Sequence, residues 1–254
     1  PESYRPAISR LLPVISFTSR SMVSARSAIR SSRAEHQFFV IPNAFSFPSD
    51  NQMTAKVLIA GSWRDADSTG TFQATNPNTN EKIPGEFPVS SWADCDAALD
   101  AAADAARQMR KLPADTIAKF LECYADKIES AKESLVEAAH AETGLAKSPR
   151  LADGELPRTS NQLRAAAASC RSGDWAMATI DTGSGIRSCY EPLGPVCVFG
   201  PNNFPFAFGS VSGGDFAAAV AAGNPVIGKA NSSHPETTRL FAELALAAAV
   251  ETGV

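Results

Sequence analysis

The chain has 254 residues, 44% of them hydrophobic and 20% charged, with a net charge of −4, which is long enough to bury a core without staples, as one large domain or two modest ones. The mild acidity offers no basic field for nucleic acid and no polybasic stripe for anionic lipid, and no apolar run approaches the roughly 20 residues that a bilayer requires. Five cysteines, Cys95, Cys123, Cys170, Cys189 and Cys197, form an odd set without CxxC or HxxxH spacing, which speaks against a disulfide framework or a metal site and suits reduced thiols in a cytoplasmic setting.

Residues 1–52 differ from everything after them. Arg5, Arg10, Arg20, Arg26, Arg30 and Arg33 outnumber Glu2, Glu35 and Asp50, and no Lys occurs in the first fifty positions, so the charge balance changes sign beyond them. An Arg-rich, Ser-rich, acid-poor stretch suits an organellar transit peptide. Against that, the chain starts at Pro1, periodicity is poor, and Met53 opens a fold-like stretch; the reading taken is a disordered leader or upstream read-through, with the fold in 53–254.

The run Lys56–Trp63 reads as a short strand, and Thr71–Asn76, before the Pro77-Asn78 turn, as its ribbon companion. Ser90 and Ser91 then cap an Ala-rich amphipathic helix reaching Leu112, with Trp92, Cys95, Leu99, Ala103 and Ala106 on its predicted apolar face. A second helix is predicted from Ala114 to Thr143, with Ile117, Phe120, Leu121, Tyr124 and Ile128 inward and Gly144 as its C-cap. A third, Asp153–Ser172, is weakened by Pro157. From Ile186 the texture changes: Pro195–Phe199 is a continuous apolar run, read as a parallel strand buried on both faces. Gly214–Ala222 reads as helix, Val226–Lys229 as a second strand and Pro235–Glu251 as another helix. This βαβα series defines an α/β fold with a parallel sheet and right-handed crossover.

Ligands of open parallel sheets settle beyond the carboxyl ends of the strands, which directs attention to two loops. The first, Gly200 to Phe206, holds Asn202 and Asn203 between Pro201 and Pro205. A rigid carboxamide there can donate to a developing oxyanion; equally, one Asn can cap a turn while the other faces solvent. The second, Lys229 to Pro235, places a cation and small polar donors ahead of a helix whose N-terminal amides suit phosphate. The competing reading makes Asn231 or Ser233 a helix cap and Lys229 a solvated end. No acidic residue precedes Glu236 in that loop, so a ribose 2′-phosphate is tolerated. Gly213-Gly214 reads as close helix packing, His140 as a helix-surface residue, His234 as a polar loop residue and Cys197 as a buried small hydrophobe. Cys189 falls in a ribbon, and none of the cysteines is nominated as a nucleophile.

The stretches GPVCVFGPNNFPFAFG and GGDFAAAVAAGNPVIGKANSSHPETTRLFAELA, with IAGSW, TNPNTNEKI and RSCYEPLGP upstream, resemble the aldehyde dehydrogenase superfamily over about Met53 to Val254. ETGL, PRTSNQLR and KANSSHP are most similar to the NADP-accepting branch that includes α-ketoglutaric semialdehyde (2,5-dioxopentanoate) dehydrogenases. The resemblance implies a Rossmann-type parallel sheet with β-ribbon segments, an oligomerisation ribbon near 175–193, and a homodimeric or homotetrameric parent. It implies oxidation of a small-molecule aldehyde to a carboxylate through a thiohemiacetal and thioester, with NADP, or NAD, as cofactor. Asn203 matches the oxyanion-stabilising Asn, Lys229 the lysine contacting the adenosine ribose, and Ser232 the position where NAD-preferring relatives often carry Glu. Phe199, Pro201 and Asn202 match positions lining the nucleotide cleft. In relatives the nucleophilic cysteine, general base and Gly-rich pyrophosphate turn lie beyond the equivalent of Val254, so the expectation is an inactive N-terminal portion without the catalytic domain. An acylating relative, or a non-catalytic dinucleotide-binding or assembly module, are the alternatives.

Overall fold

The computed structural model describes residues 54–254; the expected leader at 1–52 and the start at Met53 lie outside the described residues. The run expected to form one strand is a tight antiparallel hairpin, β1 (Val57–Ile59) and β2 (Ser62–Arg64), with Ile59 opposite Ser62. Its two-residue turn, Ala60-Gly61, has φ of 52° and 71°, the double positive φ that matches the twist of paired strands. The next ribbon pairs β3 (Ser68–Phe72) with β4 (Phe87–Ser90). The strand expected at Thr71–Asn76 thus lies at Ser68–Phe72, and its partner is Phe87–Ser90, not the Lys56–Trp63 run expected as its ribbon companion.

Helix α1 (Trp92–Met109) is capped as expected, with the Ser91 hydroxyl accepting from the Ala93 amide at 3.1 Å. The buried face is rotated from the expected one and shares Ala106 with it: Asp94, Ala98, Ala102, Ala105, Ala106 and Met109 are buried, while Trp92 is 81% exposed and Leu99 45%. Small side chains let α1 lie close against Val57, Ile59, Phe87 and Ile227 in a second, smaller core. Asp94 is tolerated inside because Arg64 meets it at 2.7 Å.

The helix expected over Ala114–Thr143 is two: α2 (Ala114–Ser130) and α3 (Lys132–Thr143), separated at Ala131, whose φ of −96° and ψ of 15° leave the helical region. The inward residues of α2 are those the periodicity named, and Gly144 ends α3 with a φ of 70°. A wide-turned stretch, Lys147–Glu155, leads into α4 (Leu156–Ser172). Arg164 pairs with Asp126 and Glu129, and Arg171 with Asp115 and Glu122, so α4 runs antiparallel along α2. A 3-10 turn, Asp174–Ala176, precedes the exposed ribbon β5 (Thr179–Ile180) and β6 (Arg187–Ser188).

The expected α/β unit follows. Strand β7 (Val196–Phe199) and β8 (Val226–Lys229) are parallel neighbours joined through α5 (Gly214–Ala221), and α6 (Pro235–Thr252) follows β8. Burial on both faces holds for β8, whose Val226, Ile227 and Gly228 are enclosed. It does not hold for β7: Cys197 is exposed, because α1 covers Ile227 of β8 but not its neighbour. The main core gathers Phe120, Tyr124, Phe206, Phe216 and Phe241 from α2, the loop after β7, α5 and α6. Among the described residues no helix is long and apolar enough to cross a membrane.

Candidate functional site

The parallel register sets Phe199 beside Lys229, so both candidate loops leave the sheet at the same end. The longer one, 200–213, folds back across the strands without clearance. A Cβ on Gly200 would meet the Ser210 amide nitrogen at 2.7 Å, and one on Gly228 would meet Val211 Cγ1 at 2.4 Å. Gly213 is equally confined, but by the Phe208 backbone of its own loop at 2.6 Å; the helix packing expected of the Gly213-Gly214 pair falls to Gly214, where an added Cβ would meet the Gln162 side chain of α4 at 3.3 Å. Phe206 anchors this loop in the core edge-on to Phe241, while Phe204 and Phe208 form a second edge-on pair.

Two side chains of the shorter loop fasten it to the longer. Asn231 Nδ2 donates to the Gly200 carbonyl at 2.9 Å, and His234 Nε2 to the Pro201 carbonyl at 3.1 Å. His234 is 1% exposed, not the polar loop residue expected, and burial lowers its pKa, which keeps the ring neutral with its proton on Nε2. Asn231 Oδ1 accepts from the Ser233 amide at 2.9 Å, so this side chain orders the loop before α6 and ties it to β7 at once.

Of the six residues singled out from sequence, all are exposed at this end of the sheet. Phe199 is 71% exposed beside Lys229, which enters no ion pair among the described residues. Asn202 and Ser232, from different loops, line one cleft of about 310 Å³ with Gln73, Thr75, Glu142 and Ser233. Pro201 presents its carbonyl to His234. Asn203 does not line that cleft: its carbonyl accepts from Arg150 at 2.8 Å, while its carboxamide has no hydrogen-bond partner among the described residues.

One expectation fails. The N-terminal amides of α6 are not free for phosphate, because the Glu142 carboxyl accepts from the Glu236 and Thr237 amides at 2.8 Å and from the Thr237 hydroxyl at 2.7 Å. A carboxyl in this position satisfies the orphan donors and the positive end of the helix dipole. Glu142 is 3% exposed, and burial pushes its pKa up to about 8 against the pull of those hydrogen bonds.

Sequence reasoning missed Glu142, His234, Arg150 and Glu155. Their partners lie from 33 to 95 positions away along the chain, beyond any local spacing signal. Among the described residues, no cluster of three or more His, Cys, Asp or Glu could hold a metal ion.

The aldehyde dehydrogenase family model matches residues 63–254. The α-ketoglutaric semialdehyde dehydrogenase 2 of Azospirillum brasilense is 42% identical, over 80% of this chain and 40% of that one. The α-ketoglutaric semialdehyde dehydrogenase of Acinetobacter baylyi is 35% identical, over 75% and 38%. Among solved structures, the NAD-dependent benzaldehyde dehydrogenase of Corynebacterium glutamicum superposes with a TM-score of 0.64 at 29% identity, covering 76% of this chain and 41% of the other. The chain thus spans about 40% of the length of the curated relatives it matches.

Proposed function

The chain belongs to the aldehyde dehydrogenase family, and from that premise we propose that residues 53–254 are the nucleotide-binding portion of an enzyme that oxidises 2,5-dioxopentanoate or a similar semialdehyde to the carboxylate with NADP. Support for the substrate class comes from the names of its relatives at 42% and 35% identity. The observation that carries the reading is that Lys229, an exposed, unpaired ammonium, and the loop bearing Asn203, an exposed, unpaired carboxamide, lie at the same end of two adjacent parallel strands.

Lys229 supplies the charge for a ribose hydroxyl or 2′-phosphate, and Ser232 leaves room for that phosphate where a carboxylate would repel it. Phe199, Pro201 and Asn202 form the adjoining surface. When bound, the nicotinamide would supply the hydride acceptor for an aldehyde carbon to which a nucleophile has already added. Asn203 donates its amide N–H groups to the oxygen as negative charge grows there, and it needs no change of protonation to do so. Its backbone carbonyl is held by Arg150, so the backbone that bears the donor is anchored before the substrate arrives. The exposed ribbon β5–β6, with Ile180, Ile186 and Tyr190 open to solvent, supports a homo-oligomer, since clustered exposed apolar residues mark contact surfaces.

Asn203→Ala in the full-length protein tests the central assignment. It is expected to lower kcat roughly 10² to 10³-fold, the cost of an oxyanion donor, with the Kd for NADP within twofold of wild type. Wild-type turnover would remove Asn203 from the reaction. Ser232→Glu is expected to shift the preference ratio from NADP toward NAD; an unchanged ratio of the two kcat/KM values counts against the phosphate assignment.

A further inference from the structure

The loop that carries Asn203 is held from outside the parallel sheet. Glu155, 1% exposed at the entrance to α4, accepts the Phe206 amide on Oε2 at 2.8 Å. Arg150, one turn earlier, donates Nη2 to the Asn203 carbonyl at 2.8 Å and lies 3.1 Å from Glu155 Oε1. Glu155 Oε1 makes no hydrogen bond, so the Arg150 N–H is aimed at the loop and the Glu155 oxygen is met by charge alone. The Arg150 guanidinium also covers the Phe204 ring at 4.1 Å, Phe204 meets Phe208 edge-on at 5.2 Å, and Arg158 covers Phe208 at 4.9 Å.

These contacts grip the loop on both sides of Phe204-Pro205. The carbonyl of 203 and the amide of 206 are each fixed by a hydrogen bond to a charged side chain, which is stronger than a neutral one. The intervening Pro205 has its φ locked by its ring. Peptide planes held this way leave the Cα–Cβ bond of Asn203 little freedom. A carboxamide that stabilises an oxyanion is effective in proportion to how little it must reorganise.

We propose that Arg150 and Glu155 are positioning residues for the Asn203 carboxamide: a guanidinium and a buried carboxylate from the α4 entrance that set its direction and act on turnover through it. The inference rests on the oxyanion reading of Asn203 given above. A merely structural ion pair would support α4 and leave the rate of the chemical step alone.

A double-mutant cycle in the full-length enzyme separates the cases. Arg150→Ala is expected to lower kcat about 10 to 50-fold, with the KM for NADP within twofold, and to lower Tm because the buried Glu155 carboxylate loses its partner. In the Asn203→Ala background the same substitution is expected to lower kcat no further, because the group it orients is gone. Glu155→Gln, which keeps volume but weakens the grip on both Arg150 and the Phe206 amide, is expected to behave like Arg150→Ala. Arg150→Gln, able to donate to the Asn203 carbonyl, is expected to recover part of the loss and serves if the alanine variant does not fold. Full turnover in Arg150→Ala, or in both Arg150→Gln and Glu155→Gln if the alanine variant does not fold, together with slow Asn203→Ala overturns the positioning role and leaves the oxyanion reading standing. Losses that multiply in the double mutant also overturn it. Full turnover in Asn203→Ala sinks both.

Discussion

At the scale of single residues, Glu142 is the most consequential group that the sequence did not announce. Its carboxyl lies against the first amides of α6 and at the back of the cleft lined by Asn202 and Ser232. With a folded pKa of about 8, against 4.5 for an ordinary glutamate, the folded protein keeps a proton in a range where the unfolded chain has released it. Stability from this group is therefore full below about pH 4.5 and is lost as pH rises through 8. Because a tenfold difference in proton affinity between the folded and unfolded chain is worth about 1.4 kcal/mol, a decline of a few kcal/mol is expected across that window. His234 works in the opposite sense, its depressed pKa withdrawing stability as pH falls below about 6.5, so measurements between about pH 7 and 8 weight Glu142 most, before the thiols of Cys95, Cys123 and Cys170, which burial raises, add losses of the same sign. Glu142→Gln is expected to flatten the pH dependence of urea unfolding there; wild type and variant declining in parallel would remove the assignment. Gly228 is a second such point. Its Cβ would lie 2.4 Å from Val211 Cγ1 and 3.0 Å from the Ser210 carbonyl, so Gly228→Ala is expected to cost about 1–3 kcal/mol through overpacking, read as a lower urea midpoint at unchanged slope.

At the scale of elements, the best-defined local device is the cap of α1. The Ser91 hydroxyl accepts from the Ala93 amide and donates to Asp67 Oδ2 at 2.8 Å, which joins the helix start to the turn before β3. Ser91→Ala is expected to lower stability by about 1 kcal/mol. That cap was legible in the sequence, as were Gly144 ending α3, the inward face of α2 and the β7–α5–β8–α6 series, because each is written in neighbouring residues. The rest was decided by distant ones. Nothing around Ala131 breaks a helix; the chain turns there so that α3 can bring Glu142 to the start of α6, 95 positions away from Thr237. The face of α1 was misread because Trp92 and Leu99 carry the hydrophobicity while the alanines opposite carry the shape. Within the site, both loops could be found from strand ends and turn residues. The contacts that fix them, Asn231 to Gly200, His234 to Pro201 and Arg150 to Asn203, could not, since no spacing rule links residues 31 to 53 positions apart.

At the scale of the whole molecule, Tyr124 connects the helical layer to the loop that leaves the carboxyl end of β7. It is fully enclosed, stacked on Phe120 and edge-on to Phe216. Its hydroxyl reaches the Val211 carbonyl at 2.9 Å and the Phe241 carbonyl at 3.1 Å, thereby joining α2, the loop after β7 and α6 through one oxygen. Burial raises its pKa well above the ordinary phenol value, so the proton stays in place to be shared between the two acceptors. Tyr124→Phe keeps the ring packing and removes that proton, leaving the two buried carbonyls without this donor. The expected loss is about 1–3 kcal/mol, the cost of unsatisfied buried polar groups rather than of lost apolar area. Because Val211 is also the residue packed on Gly228, the loosening should travel to the loop that bears Asn203. Amide hydrogen exchange at 206–213 is expected to accelerate more in Tyr124→Phe than exchange in α1, which packs in the separate smaller core. Equal acceleration in both would mean that the hydroxyl contributes to global stability alone and carries no particular link to the site.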